Sequence, residues 1–151
     1  MNQRYWSSRI QGLVPYTPGE QPKDRTFIKL NTNENPYPPS PRVLEAIRRE
    51  ADQRLRLYPD PAALRGALAE RYGVEPEQVF CGNGSDEVLG LCFYALFSPG
   101  RKVVFPDITY SFYPVYTELF GLDYEEIPLN EDFTLPVERF LGGNGGAVIC
   151  N

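Results

Sequence analysis

The chain has 151 residues, of which 42% are hydrophobic and 23% charged, so it can bury a core and is not intrinsically disordered. Its net charge of −5 and the lack of a basic block argue against nucleic acids and anionic membranes as partners. The sequence contains no histidine, which excludes Ser-His-Asp catalysis, Cys-His catalysis and histidine-ligated metal within this chain.

Proline and asparagine are frequent in the first forty residues. Residues 14–22 and 31–41 are predicted to form extended loops, because proline restricts itself and the residue before it to non-helical backbone. Between these loops, residues 26–30 ("TFIKL") predict a short strand.

Two helices are predicted next in the chain. The first covers 40–55, with Ser40 as its N-cap and a proline at the first helical position. The second covers 60–73, where Asp60 caps the start and Gly73 ends the helix.

From residue 78 onward, short apolar strands alternate with helices. The predicted strands are 78–82, 102–106, 123–129 and 146–151, and the predicted helices are 85–98, 109–121 and 134–143. This alternation predicts an α/β fold with a mostly parallel sheet and helices on both faces. The last strand is apolar enough to be central in such a sheet, so we expect the sequence to be part of a larger protein. The alternative is a complete small domain that ends in an edge strand.

The chain is predicted to be cytoplasmic. Its longest apolar run, residues 89–97, is too short to span a bilayer, and residues 1–10 lack the apolar core of a signal peptide. The three cysteines are scattered through the sequence, and we expect them to be reduced and buried rather than paired or bound to zinc.

The stretch "CGNGSDEVL" (81–89) places two glycines, a hydroxyl and a carboxylate between a predicted strand and a predicted helix. The amides that begin a helix lack intrahelical partners and can bind an anion, and Gly82 and Gly84 permit a tight turn. Alternatively, Ser85 or Asp86 merely caps the helix. The stretch itself leaves these two interpretations about equal, and it lacks the lysine of a nucleotide-binding P-loop.

A second polar and aromatic segment, "FPDITYSFYPVY" (105–116), follows the next predicted strand. Ligands of parallel sheets bind beyond the carboxyl ends of the strands. We expect Tyr110, one residue into the predicted helix, to stack on a planar cofactor. For Phe112, Tyr113 and Tyr116 we expect ordinary packing.

Four motifs in order, "LNTNENPYPPSP", "YPDPAALRGALAERYGV", "VFCGNGSDEVLGL" and "VVFPDITYSFYPVY", resemble the N-terminal part of the histidinol-phosphate aminotransferases. These are enzymes of the aspartate-aminotransferase superfamily that use pyridoxal 5'-phosphate (PLP). The resemblance runs from about Pro15 to Asn151. It implies an N-terminal arm and part of the small domain in 1–57, and the first part of the large PLP-binding domain of a fold-type-I aminotransferase in 58–151.

The resemblance also implies a set of site residues. By position, Gly84, Ser85 and Asp86 match the loop that binds the PLP phosphate, and Tyr110 matches the aromatic residue that covers the cofactor ring. Tyr58 matches a tyrosine that reaches the phosphate from the other subunit, which implies a homodimer.

Two further matches concern the substrate. Tyr16 matches a tyrosine at the substrate phosphate, and Asn33 falls near the substrate carbon chain. None of Lys23, Lys29 and Lys102 matches the Schiff-base lysine, so the resemblance places that residue, and all catalytic residues, downstream of this sequence.

The implied reaction is transamination of histidinol phosphate, a phosphorylated imidazole substrate, with 2-oxoglutarate or glutamate in histidine biosynthesis. Two enzymes on the same scaffold are alternatives: an aromatic-amino-acid aminotransferase and a threonine-phosphate decarboxylase. A third alternative is that the chain serves only as a binding or assembly fragment.

Overall fold

The computed structural model describes residues 3–14, 19–20, 22–24, 28–143 and 145–149. The chain divides into two compact units: Thr17–Val79 forms one, and Met1–Tyr16 with Phe80–Asn151 forms the other. The predicted division of the complete protein into 1–57 and 58–151 stays a prediction.

Two helices organise the unit Thr17–Val79. Helix α1 spans Pro41–Glu50 and helix α2 spans Ala62–Tyr72. The predicted cap of α1 is confirmed, since the Ser40 hydroxyl accepts a hydrogen bond from the Val43 amide. Gly73 ends α2 with a left-handed φ of 66°, also as predicted.

Other predictions for this unit need correction. The Asp60 carboxylate accepts a hydrogen bond from the Ala62 amide at 2.9 Å, although the N-cap itself is Pro61. The predicted helix 40–55 ends early, because the Asp52 carboxylate binds the Arg54 amide and starts a separate 3-10 turn, Gln53–Arg56. Of the predicted strand 26–30, residues 28–30 are irregular and the rest lies outside the described residues.

The second unit contains a parallel three-stranded sheet in the order β2-β1-β3. Its elements follow in chain order: α3 (Gly84–Leu96), β1 (Val103–Pro106), α4 (Phe112–Phe120), β2 (Tyr124–Ile127), α5 (Val137–Phe140) and β3 (Gly146–Ala147). The α/β class with a parallel sheet is therefore confirmed. The first predicted strand, 78–82, is wrong: residues 79–82 are irregular, because no strand of the described chain pairs with them.

The core of this unit lies where α3 and α4 pack against β1. Its buried residues are Phe93, Val103, Phe105, Tyr113, Tyr116 and Leu122. The rings of the core meet at centroid distances of 5.2 to 5.9 Å, which is the usual range for tilted aromatic pairs. This packing fixes the start of α3 beside the loop that leads from β1 into α4.

The helices formed by the described residues all fall short of the length and apolar character that crossing a bilayer requires.

Candidate functional site

The start of α3 is a sharp turn built on glycine. Gly84 is the first helical residue, and its φ of +78° is a left-handed conformation that favours glycine. A side chain added at Gly84 would meet no atom within 4 Å, so the space in front of this turn is open. The Gly84 amide donates to the Gly82 carbonyl at 3.1 Å, which closes the turn.

The first turn of α3 carries backbone donors on exposed residues. Because α3 begins at Gly84, Asn83, and neither Ser85 nor Asp86, occupies the N-cap position. The Glu87 carboxylate accepts from the Asn83 amide at 2.5 Å. Helix geometry gives the next amides, of Ser85 and Asp86, no carbonyl within the helix. Both residues are exposed, and the Ser85 hydroxyl adds a further donor. The turn therefore has the donor pattern that binds an anion.

Tyr110 lies against this turn. Its hydroxyl donates to the Asp86 carboxylate. Its ring stacks on Phe112 at 5.6 Å and 20° and meets the edge of Tyr113 at 5.8 Å and 84°. Helix α4 begins only at Phe112, so Tyr110 belongs to the preceding loop and not, as predicted, to the helix. The half-buried ring is thus held beside the anion-binding turn.

Tyr116 also contacts Asp86, which the sequence did not indicate. Its hydroxyl donates to the Asp86 backbone carbonyl at 2.6 Å, while its ring packs in the core. Burial, together with the nearby Asp86 carboxylate, raises the pKa of the Tyr116 hydroxyl. The hydroxyl therefore keeps its proton, and remains a donor, at neutral pH and well above it.

Asp107 orders the loop that carries Tyr110, a second feature that the sequence analysis missed. Its carboxylate accepts from the Ile108 amide at 2.9 Å and from the Leu129 amide at 3.0 Å. Its own amide donates to the Ile127 carbonyl at 3.1 Å. These bonds join the segments that follow β1 and β2 at the carboxyl edge of the sheet.

The structure thus brings Gly84, Ser85, Asp86 and Tyr110 together. Tyr58 and Asn33 belong to the other compact unit. There, Tyr58 is fully exposed, and Asn33 occupies a turn with a φ of 51°. Tyr16 lies outside the described residues.

Lys102 and Lys29 both form ion pairs. Lys102 precedes β1, at the opposite end of that strand from the Tyr110 loop, and pairs with Glu125 at 3.0 Å. Lys29 pairs with Glu34 at 2.5 Å, which lowers the pKa of the glutamate chiefly through their hydrogen bond. Among the described residues, no cluster of Cys, Asp and Glu side chains has the arrangement of a metal site.

Residues 25–142 match the family described as aminotransferase class I and II, and the chain belongs to that family. Within it, the chain is 57% identical over 150 residues to the histidinol-phosphate aminotransferase of Clostridium acetobutylicum. It is 56% identical to histidinol-phosphate aminotransferase 2 of Thiobacillus denitrificans. Each alignment covers 98% of this chain but only 43% and 42% of the relatives, so the chain spans less than half of their length.

Solved structures support the same assignment of fold. The histidinol-phosphate aminotransferase of Sinorhizobium meliloti, solved in complex with pyridoxal-5'-phosphate, matches 67% of this chain with a TM-score of 0.60 and 30% identity, and 28% of that chain is covered. A putative histidinol-phosphate aminotransferase from Erwinia carotovora atroseptica matches 79% of this chain and 36% of its own, with a TM-score of 0.68. At 22% identity, the second likeness supports the fold alone.

Proposed function

We propose that this chain supplies the phosphate-binding part of a PLP-dependent histidinol-phosphate aminotransferase. The observation that carries the proposal is the open turn at Gly84, whose amides and Ser85 hydroxyl lie beside the half-buried ring of Tyr110. The named relatives, which align with nearly the whole chain, support the same conclusion.

The residues of the turn fit the cofactor phosphate. A phosphate needs several donors and room to approach, and the first turn of α3 offers both. Asp86 would repel a nearby anion, but its carboxylate accepts the Tyr110 hydroxyl, which holds it to one side of the turn. We infer that Ser85 and the amides of the turn bind the phosphate, and that Tyr110 places its ring against the cofactor ring.

When bound, PLP would supply the electron sink that amino-group transfer requires. The chain's own residues would bind the phosphate, orient the ring and exclude water from one of its faces. Lys102, at the other end of β1, is poorly placed to reach the same site. We infer from the resemblance of the sequence that the Schiff-base lysine lies outside it.

The remaining assignments are part of the proposal. We infer that Tyr58 of one protomer reaches the phosphate bound by its partner in a homodimer, and its complete exposure leaves it available for such a contact. Tyr16 and Asn33 are proposed to contact the phosphorylated imidazole substrate. In the biosynthetic direction the amino donor is proposed to be glutamate, which becomes 2-oxoglutarate, and the compartment is proposed to be the cytoplasm.

The complete protein should transaminate histidinol phosphate with 2-oxoglutarate far faster than it transaminates phenylalanine. Steady-state kinetics with each substrate, at matched concentrations of 2-oxoglutarate, measures this preference. A preference for phenylalanine would identify an aromatic-amino-acid aminotransferase instead. Release of carbon dioxide from threonine phosphate would indicate the decarboxylase.

In the complete protein, Ser85→Ala should weaken PLP binding by about 1.5–3 kcal/mol, the usual contribution of a hydrogen bond to a charged group. Equilibrium titration of the apoprotein with PLP measures the loss. The control is Ser98→Ala, which removes an exposed hydroxyl just beyond the other end of α3 and should leave affinity unchanged. Equal affinities of the two variants would contradict the proposed phosphate contact.

A further inference from the structure

Tyr116 links the second turn of α4 to the first turn of α3. The side chain is only 7% exposed, and its ring packs on Phe93 at a centroid distance of 5.2 Å. The hydroxyl points out of this core and donates to the Asp86 carbonyl at 2.6 Å. One end of the side chain is therefore fixed by packing, and the other end holds the turn proposed to bind phosphate.

The close approach of the two helices depends on Gly90. A side chain on Gly90 would lie 3.3 Å from the Tyr116 ring, tighter than an ordinary contact. Gly90 lies one turn after Asp86 in α3, so the missing side chain leaves room for the tyrosine to reach back to the Asp86 carbonyl.

Two tyrosines therefore hold Asp86 by two different groups. Tyr110 donates to its carboxylate, and Tyr116 donates to its backbone carbonyl. Tyr110 lies in a loop, whereas Tyr116 lies in helix α4, where the next residue, Thr117, is fully buried. The position of the first turn of α3 is thus set by the core.

We propose that Tyr116 is a positioning residue for cofactor binding: its hydroxyl fixes the first turn of α3 so that the amides there meet the phosphate. This inference rests on the proposed function. It adds a residue that does not itself touch the cofactor and acts through the backbone of Asp86.

The test uses Tyr116→Phe in the complete protein, which keeps the buried ring and removes the hydroxyl. The matched control is Thr117→Val, because the Thr117 hydroxyl is also buried in α4 but donates to the Pro114 carbonyl of its own helix, at 2.7 Å. Each variant loses one buried hydrogen bond, but only one of these bonds reaches α3. Thermal unfolding of both variants reports the general loss of stability.

The informative measurement is the affinity of each apoprotein for PLP and for pyridoxal, which lacks the phosphate. Tyr116→Phe should weaken PLP binding by about three- to tenfold, the range for one neutral hydrogen bond, and leave pyridoxal binding within about twofold. Thr117→Val should change both affinities by less than about twofold.

Two results would overturn the inference. Equal losses of PLP and pyridoxal affinity in Tyr116→Phe would show that the hydroxyl only stabilises the fold, and unchanged PLP affinity would show that the turn is fixed without it. A wild-type protein that binds PLP no more tightly than pyridoxal would instead overturn the proposed phosphate site, and the inference with it.

Discussion

Replacing Phe93 by alanine is expected to lower the free energy of unfolding by about 3–5 kcal/mol, the largest effect of any substitution considered for this chain. Phe93 is 1% exposed, and its ring lies 5.2 Å from those of Phe97 and Tyr116 and 5.9 Å from that of Tyr113. Alanine would leave a cavity at the centre of the contact between α3 and α4, and the surrounding rings cannot close it without leaving their own contacts.

Urea unfolding of the complete apoprotein measures this cost. Phe93→Leu is the matched variant, because leucine keeps most of the apolar volume and should lose roughly half as much stability. A loss below about 1 kcal/mol for the alanine variant would contradict the central position of Phe93 in the core.

The second large effect is expected at Gly145. A side chain there would overlap the backbone carbonyl of Lys102. Unlike the end of a flexible side chain, a backbone carbonyl cannot rotate out of the way. This close approach lets the following Gly146 pair with Val103, the first residue of β1. Gly145→Ala should therefore separate β3 from β1 and lower the free energy of unfolding by about 3 kcal/mol.

Gly143→Ala provides the control in the same segment, because its nearest neighbour would be the Gly145 amide nitrogen at 4.0 Å, an ordinary contact. Its effect on urea unfolding should stay within about 0.5 kcal/mol, as for most surface substitutions. Similar losses in the two alanine variants would mean that the backbones do not approach each other as closely as described.

Local signals predicted β1, β2, α4 and the two helix ends at glycine, whereas the predicted helices 40–55 and 134–143 are longer than the observed Pro41–Glu50 and Val137–Phe140. Gly73 and Gly121 end α2 and α4 in left-handed conformations, because a helix stop depends on the backbone freedom of one residue. The prediction of a strand at 78–82 is wrong because strand formation does not depend on local residues alone. A strand requires a partner, and the described part of the chain supplies none for these residues.

The sequence predicted only those parts of the candidate site that depend on residues adjacent in the chain. The turn at Gly84 and Ser85 follows from glycine and helix geometry, so the sequence could indicate it. The hydrogen bonds of Tyr110 and Tyr116 to Asp86 span 24 and 30 residues, and no periodic pattern encodes them. A hydroxyl-bearing ring on the buried face of a helix was the available signal for Tyr116, but apolar packing explained that ring equally well.

The turn at Gly84 has a consequence for protein chemistry. A side chain of ordinary L geometry at Gly84 would meet no atom within 4 Å, and φ is +78°, so the backbone conformation, and not a lack of space, is what disfavours such a residue. A D-alanine introduced by chemical ligation favours this half of the φ range and is expected to be accepted, whereas its mirror image, L-alanine, pays a conformational penalty. The two enantiomers contain the same atoms, and only the D form matches the backbone conformation of this helix start.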